Sequence, residues 1–215
     1  MKASVTVNEI FTSIQGESTR AGEPCTFVRL TGCNLRCTYC DTAYAFHEGD
    51  EKPIEEVVAD VARRGVRFVT ITGGEPLAQE GMHDLTRRLL DSGHDVQIET
   101  GGSLATDGID PRARVILDIK TPGSRMENAM QWENLARVRR GDEVKLVLVD
   151  RADYEFARDV IRSGRVPAGT VVLLSPAHGS LDPKDLARWI LEDRLSARLQ
   201  LQIHKYVWGS DARGV

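Results

Sequence analysis

The sequence lacks the features that assign proteins to several broad classes. No apolar run approaches the roughly 18 residues that a membrane-spanning helix needs, and the first residues contain no apolar region of a signal peptide. There is no basic excess, because 28 Lys and Arg stand against 32 Asp and Glu, for a net charge of −4. We therefore predict no membrane partner, no nonspecific nucleic-acid partner and a cytoplasmic location, where thiols stay reduced.

Cysteine is absent from everything after residue 40, and the four cysteines are Cys25, Cys33, Cys37 and Cys40. Cys25 lies in an apolar segment that predicts a strand, where a free buried thiol is common. The other three have the spacing C-x3-C-x2-C, so three thiolates on one loop can face a common centre. Zinc is one candidate, although structural zinc usually takes four ligands from two short-spaced pairs. An iron–sulfur cluster held by thiolates is the other candidate.

The pattern of apolar residues predicts one α/β domain over residues 1–215. After residue 50, β-branched runs alternate with amphipathic stretches, which is typical of parallel strands joined by right-handed crossovers. The predicted strands are 25–30, 66–72, 95–99, 115–119, 144–149, 170–174 and 199–203, and the predicted helices are 53–62, 82–90, 152–163 and 183–195. The first 50 residues are otherwise predicted to be mostly loops.

The length of the chain argues against a complete barrel. A complete eight-unit barrel takes about 250 residues, and this chain has 215. We therefore predict a partial (βα) barrel, in which outer helices cover a curved, open parallel sheet. A flat doubly wound sheet is the alternative.

Polar and glycine-rich segments follow the predicted strands. They are 34–42, 73–76, 100–102, 120–124, 175–178 and 204–206. The carboxyl ends of parallel strands meet at one edge, where the active sites of α/β proteins lie. Six segments at this edge predict a single large site.

Two of these segments resemble the signature of radical S-adenosylmethionine enzymes. The first is the C-x3-C-x2-C loop with Tyr39 just before its last cysteine, and the second is Gly73-Gly74-Glu75-Pro76. The resemblance implies a radical S-adenosylmethionine core fold and one four-iron cluster on Cys33, Cys37 and Cys40, with one iron open for S-adenosylmethionine. It also implies that the glycines let the backbone approach the methionine amino group and that Glu75 accepts its protons.

Segments along nearly the whole chain are similar to the 7-carboxy-7-deazaguanine synthase family. They are Glu9–Ser18, Phe27–Leu35, Cys40–Thr42, Glu99–Gly102, Asp118–Pro122 and Gln202–Tyr206. The resemblance implies rearrangement of 6-carboxy-5,6,7,8-tetrahydropterin into 7-carboxy-7-deazaguanine with loss of ammonia, in the biosynthesis of queuosine and other 7-deazapurines. It implies a 5′-deoxyadenosyl radical that takes hydrogen from C6 of the substrate. It further implies Mg²⁺, a homodimer and an electron-donor protein of the flavodoxin or ferredoxin type.

The resemblance also implies the residues of the site, none of which acts as an acid or base. The cofactor contacts would be Tyr39, Cys40, Asp41, Gly73, Gly74, Glu75, Gly102, Lys145, Leu146, Val147, Ser175, Pro176, Ala177 and His178. Thr42 would bind Mg²⁺. The substrate contacts would be Ile14, Gln15, Gly16, Glu17, Arg29, Thr100, His204 and the C-terminal Val215. Only Cys25 is left over, so one cluster is the limit.

Local chemistry alone leaves simpler interpretations open. Asp41-Thr42 is compatible with a loop exit or a helix cap, Gly101-Gly102 with a turn, and His204 with a core histidine. Arg29 stands among apolar neighbours, and a buried arginine needs an anion.

Two other functions compete with the family interpretation. A glycyl-radical-enzyme activase carries the same cysteine spacing, but it acts on a protein and would leave Gln15, Glu17, Arg29 and His204 without a role. A zinc-stabilised or iron–sulfur interaction protein would have a closed site and would cleave no cofactor.

Overall fold

A nine-stranded sheet forms the centre of the computed structural model, which describes residues 3–215. The strands are β1 Ser4–Ile14, β2 Pro24–Leu30, β3 Asp50–Pro53, β4 Phe68–Gly73, β5 Asp95–Thr100, β6 Arg114–Ile119, β7 Glu143–Leu148, β8 Val171–Pro176 and β9 Arg198–Leu199. They lie in the order β3-β1-β2-β4-β5-β6-β7-β8-β9. Strands β3 and β9 are therefore the two free edges.

Five α-helices accompany the sheet in the described residues. They are α1 Ile54–Arg64, α2 Gly81–Asp91, α3 Arg151–Arg162, α4 Pro183–Glu192 and α5 Ile203–Trp208. Local signals set the ends of these helices. The side chains of Asp150 and Asp182 accept hydrogen bonds from backbone N–H groups at the starts of α3 and α4. Gly65 ends α1 in the left-handed conformation, with φ of 70°. Within residues 3–215, no helix combines the length and apolar character that crossing a bilayer requires.

The strand order confirms the partial barrel. From β2 to β9, every neighbouring pair is parallel and follows chain order. A doubly wound sheet reverses its order at a switch point, and this sheet does not. The flat alternative is therefore wrong. Strand β1 pairs antiparallel with both β2 and β3.

The two faces of the sheet differ in polarity because side chains alternate along a strand. Residues such as Val69 and Ile98 pack with α1–α4 in the main apolar core, on what we call the outer face. Their strand neighbours Thr70 and Glu99 point to the opposite, inner face, which carries several buried polar residues. A small apolar cluster of Phe11, Cys25, Phe27 and Phe68 also lies on the inner face, and the polar residues of this face line what we call the chamber.

Two parts of the predicted secondary structure are wrong. The prediction missed the strand β1, which spans eleven residues and pairs with β2, although residues 15–23 and 31–42 are loops and turns as expected. The predicted strand 199–203 shortens to Arg198–Leu199, since the chain turns so that the Ile203 N–H reaches the carbonyl of Gly16 at 3.0 Å. The remaining predicted strands and helices are present, with ends that shift by a few residues.

Candidate functional site

The three-cysteine loop begins at the carboxyl end of β2. Cys33, Cys37 and Cys40 are free and half-buried there. Backbone hydrogen bonds hold the loop: the Gly32 N–H donates to Ala45 at 2.8 Å, and the Thr38 N–H donates to Ser124 at 3.2 Å. Burial raises the pKa of the Cys33 and Cys37 thiols, so a bound metal would be needed to keep them as thiolates.

The three thiols do not form a preformed site for a single metal ion. Among residues 3–215, no three His, Cys, Asp or Glu side chains lie close enough to share one ion. Cysteines on a four-iron cluster each bind a different iron, so their sulfurs stand farther apart than those around one zinc ion. The zinc alternative therefore has no preformed site within residues 3–215.

Close packing around the start of the cysteine loop requires glycine at positions 73 and 74. Gly73 has φ of 143° and lies against Leu30, while a Cβ on Gly74 would overlap the carbonyl group of Gly32. The Glu75 N–H donates to the same Gly32 carbonyl at 2.8 Å. The end of β4 is therefore pressed against the start of the cysteine loop, whether or not a ligand approaches these glycines.

Gly74→Ala tests this packing. Because the obstructing atoms belong to backbone, we expect a loss of about 2–3 kcal/mol in the free energy of unfolding, together with poor cluster incorporation. Gly164→Ala is the control, since Gly164 has φ of 74° but open space around its Cα, and it should cost only about 1–2 kcal/mol. Urea unfolding of both variants measures the difference, and a Gly74→Ala variant as stable as the control would contradict the packing argument.

Glu75 joins two loops of the rim. Its carboxylate accepts hydrogen bonds from the Thr100 hydroxyl at 2.8 Å and from the N–H groups of Gly101 and Leu77 at 2.7 and 3.0 Å. Burial raises the pKa of Glu75. The predicted cofactor residue Glu75 and the predicted substrate residue Thr100 are therefore neighbours, and buried Gly102 follows two residues later.

A buried charge network occupies the inner face. The Lys145 ammonium contacts the Glu17 carboxylate and lies 3.5 Å from Asp118, which is 3.0 Å from the Lys120 ammonium. Gln202 donates to Glu17 at 2.7 Å. Burial alone would raise the pKa of Glu17, but the Lys145 ammonium and the hydrogen bonds lower it to about 2. Glu17 and Lys145 are both charged at neutral pH as a result.

The predicted substrate residues 14–17 lie at the end of β1 and turn into the chamber. The Gln15 amide donates to the Thr70 hydroxyl at 3.1 Å and to Glu99 at 3.2 Å. Glu99 also accepts from the Thr72 hydroxyl at 3.3 Å. Burial raises the pKa of Glu99.

Glu99, Asp118 and Lys120 are charged chamber residues that had no predicted role. They stand in segments that resemble the family, and each interrupts an apolar strand or follows it. Charged residues at such positions rarely become buried without a partner. A charged residue within an apolar strand, or directly after one, was therefore the sequence signal that could have identified these chamber residues.

Several buried polar atoms of the site have no hydrogen-bond partner within residues 3–215. They include the Tyr39 hydroxyl, Asp118 Oδ1, Ser175 Oγ and Gln97 Oε1. Buried polar atoms are nearly always paired. Their convergence on the chamber and the cysteine loop fits a polar ligand that would occupy the space between them.

Arg29 has a protein partner. Its Nε lies 2.7 Å from Glu9 Oε1, which also accepts from the Tyr44 hydroxyl at 2.9 Å. The sequence indicated that a buried arginine here needs an anion, and the resemblance implied a substrate carboxylate. The structure provides Glu9 as one anion at this position.

His204 and Gly16 are in direct contact. The His204 ring lies where a Cβ on Gly16 would stand, so this position has no room for a side chain. Burial lowers the pKa of His204, so its imidazole is neutral at pH 7. The predicted substrate residues Gln15, Gly16, Glu17 and His204 are therefore brought together in one place.

Other predicted contacts lie farther from this centre. The Leu146 side chain is buried in the main core on the outer face, so only its backbone and the side chains of Lys145 and Val147 face the chamber. A cavity of about 470 Å³ opens beyond β8, and its lining includes Pro176 and His178. Ser175 and Ala177 beside them are buried.

Thr42 and Val215 complete the set of predicted site residues. The Thr42 hydroxyl is 3.8 Å from Cys40 Sγ, so the predicted Mg²⁺ position adjoins the cysteine loop. Val215 is 41% exposed, and the residue before it lies beside the Glu9 carboxylate.

Known proteins of similar sequence decide the family. The family model described as the Radical SAM superfamily matches residues 27–147. The 7-carboxy-7-deazaguanine synthase of Chlorobaculum tepidum is 43% identical over 217 residues, covering 100% of this chain and 99% of the relative. This chain belongs to the 7-carboxy-7-deazaguanine synthase family. The synthase of Koribacter versatilis is 42% identical, covering 97% of this chain and 99% of the relative.

The fold agrees with this family assignment. The crystal structure of QueE from Escherichia coli superposes with a TM-score of 0.77 at 24% identity, covering 92% of this chain and 94% of that chain. The predicted family and fold are confirmed, and the chain is a radical S-adenosylmethionine enzyme with a role in 7-deazapurine biosynthesis. Membership of the superfamily implies a four-iron cluster and S-adenosylmethionine. The activase alternative is not favoured.

Proposed function

We propose that residues 1–215 act as one catalytic domain that converts 6-carboxy-5,6,7,8-tetrahydropterin into 7-carboxy-7-deazaguanine with release of ammonia. One observation carries the proposal: a three-thiol loop and the Gln15–Glu17 segment both adjoin the same polar chamber. An activase that binds a protein would have no use for a buried amide and carboxylate on the inner face of the barrel.

The cysteine loop and the rim would hold the cofactors. Cys33, Cys37 and Cys40 would bind the cluster, which when present supplies the electron that cleaves S-adenosylmethionine to the 5′-deoxyadenosyl radical. The methionine part would lie along Gly73–Glu75, whose last residue offers a buried carboxyl group. Contacts with the rest of the cofactor would come from Tyr39, Asp41, Gly102, the inner side of 145–147, and 175–178.

The chamber would orient the pterin before the chemical step. The edge of a pterin presents an amine, a ring N–H and a carbonyl, which an amide and a carboxylate can bind. Lys145 keeps Glu17 ionised, and Thr70 and Glu99 orient the Gln15 amide. The acceptors are thus preorganised, which lowers the entropic cost of positioning the substrate.

The other end of the substrate carries a carboxylate, which we assign to Arg29 and His204. A neutral His204 can donate one N–H, and Arg29 supplies the positive charge. Thr100, the backbone of Ile14 and Gly16, and the C-terminal Val215 would add further contacts. By excluding water, this enclosure would protect a radical from side reactions.

The remaining assignments follow from the family rather than from geometry. We propose that Thr42 contributes one hydroxyl ligand to Mg²⁺, which often takes only one or two ligands from protein. We further propose a homodimer in the cytoplasm that receives its electron from a protein of the flavodoxin or ferredoxin type.

Ligand-induced stabilisation tests the substrate assignment. A ligand that binds only the native state at about 100 times its Kd stabilises that state by about 2.7 kcal/mol. We expect 6-carboxytetrahydropterin to raise the Tm of the reconstituted enzyme, and Glu17→Gln to reduce this rise strongly. An unchanged Tm with the pterin, combined with cofactor cleavage that requires a protein partner, would favour the activase instead.

A further inference from the structure

The last part of the chain crosses the open side of the partial barrel. After β9, the Ile203 N–H donates to Gly16 at 3.0 Å, and the Arg213 guanidinium lies 3.8 Å from the centre of the Tyr44 ring. Gly16 directly follows β1 and Tyr44 lies between β2 and β3, at one side of the sheet, whereas β9 is the opposite edge. Residues 200–215, which we call the C-terminal strap, therefore join the two edges.

One ion pair ties this strap to the cysteine loop. Lys205 Nζ lies 2.7 Å from Asp41 Oδ2, with 9% of the lysine side chain and 43% of the aspartate side chain exposed. Asp41 stands between Cys40 and Thr42, and Lys205 directly follows His204. A single contact thus connects the segment that would hold the cluster and Mg²⁺ to the helix that would hold the substrate carboxylate.

We propose that Lys205 is a positioning residue: its ion pair with Asp41 latches the C-terminal strap onto the cysteine loop and so sets the position of His204 toward the substrate. This inference rests on the proposed function. It also assigns the Asp41 side chain to the latch, so that Asp41 would meet the cofactor through its backbone.

The second ion pair between the strap and the rest of residues 3–215 is weaker. Arg213 Nη1 is 3.7 Å from Glu48 Oε2, and both side chains are more than half exposed, at 58% and 63%. Exposed pairs contribute little because water and salt screen them. Lys205 is nearly enclosed, so its attraction to Asp41 acts through a lower effective dielectric. The start of the strap is therefore its fixed point.

Three variants of the full-length, reconstituted enzyme test the latch. Lys205→Met removes the charge and keeps the apolar stem, whereas Lys205→Arg keeps the charge. Lys184→Met is the matched control, because Lys184 is exposed on α4. We expect Lys205→Met to raise the KM for 6-carboxytetrahydropterin about tenfold with kcat changed less than about threefold. Lys205→Arg should recover most of the loss, and Lys184→Met should equal the wild type.

Two readouts do not depend on turnover. Calorimetric binding of the carboxypterin without S-adenosylmethionine should weaken about tenfold in Lys205→Met. Chymotrypsin should also cut faster after Tyr206 and Trp208 in this variant, because a released strap is more accessible. The cleavage assay needs no substrate, so it reports on the latch even if the wild type binds no pterin, which would refute the proposed function alone.

The inference is overturned by either of two results. The first is a Lys205→Met enzyme whose KM, pterin affinity and cleavage rate all stay within about twofold of the wild type. The second is an equal loss in Lys205→Met and Lys205→Arg, because the effect would then come from the shape of the side chain and not from its charge.

Discussion

Cys37→Ala is expected to abolish product formation and to prevent assembly of the iron–sulfur chromophore. We expect a fall in rate of at least about a thousandfold, which corresponds to roughly 4 kcal/mol in the activation barrier. The reason is the small number of ligands: the cysteine loop offers three thiols, and no cysteine follows residue 40. Anaerobic reconstitution, followed by visible absorption and an assay of 5′-deoxyadenosine, measures both effects.

Cys25→Ala is the matched control for this prediction. Cys25 is fully buried in β2 and donates to the Thr70 hydroxyl at 3.2 Å. Burial raises the pKa of the Cys25 thiol to about 12, so it stays protonated and cannot replace a missing ligand. We expect Cys25→Ala to keep its cluster and to lose only about 1 kcal/mol of stability. Cluster loss in this variant, or turnover in Cys37→Ala, would contradict the assignment of the three ligands.

Lys145→Met is expected to give the largest loss of stability among single substitutions in the chamber. The variant would leave the carboxylates of Glu17 and Asp118 without their shared ammonium, and breaking a buried ion pair typically costs about 3–5 kcal/mol. We expect a loss of this size in urea unfolding, together with weak binding of the carboxypterin. The exposed Lys184→Met should change stability by less than about 0.5 kcal/mol.

A double variant separates the ion pair from simple packing. Lys145→Met combined with Glu17→Gln removes both charges, so it should recover part of the stability lost in Lys145→Met. If the double variant is less stable than Lys145→Met by the full cost of a second substitution, the two side chains do not interact energetically.

Acid provides a second measurement on the same pair. The pKa of Glu17 is about 2 in the folded protein, below its ordinary value of 4.5. Its contribution to stability is therefore fully present above about pH 4.5 and is lost as the pH falls toward 2. We expect the wild type to lose more stability over this window than Lys145→Met, in which the ammonium that most lowers the pKa of Glu17 is gone. An equal loss of stability in the two proteins between pH 4.5 and 2 would contradict the electrostatic coupling of Lys145 and Glu17.

The later part of the fold could be predicted because its signals are local. Each helix from α1 to α4 shows an amphipathic pattern, and each strand from β4 to β8 is a short, mostly apolar run. Strand β1 was missed although Val5 and Val7 alternate with polar residues, because this alternation breaks at Asn8-Glu9, where the register with β2 also shifts. Pairing with β2 and β3 holds this long strand in the sheet. A local sequence pattern does not reveal such pairing.

Because β1 was not predicted, the anion beside Arg29 was not predicted either. In the antiparallel register, Glu9 lies directly across from Arg29, and opposite charges facing each other across strands attract. A sequence interpretation that included β1 would have predicted this pair. Without it, the substrate carboxylate was the only anion that the family resemblance suggested for this position.

The chamber itself was visible only in part. The three-cysteine loop is a local spacing, so the sequence was sufficient to single it out. The contact between Lys145 and Glu17 spans 128 positions and forms only when β7 and the end of β1 face the same interior. Contacts of this kind depend on the closure of the whole sheet, which local patterns cannot specify.

The most direct test of the central claim is mass spectrometry of the small molecules formed by the anaerobically reconstituted enzyme. The reaction would contain S-adenosylmethionine, a reductant, Mg²⁺ and 6-carboxy-5,6,7,8-tetrahydropterin. We expect 7-carboxy-7-deazaguanine to appear with the wild type and to be absent with Cys37→Ala. Formation of 5′-deoxyadenosine without 7-carboxy-7-deazaguanine would contradict the proposed substrate, and no cleavage of S-adenosylmethionine would contradict the radical chemistry itself.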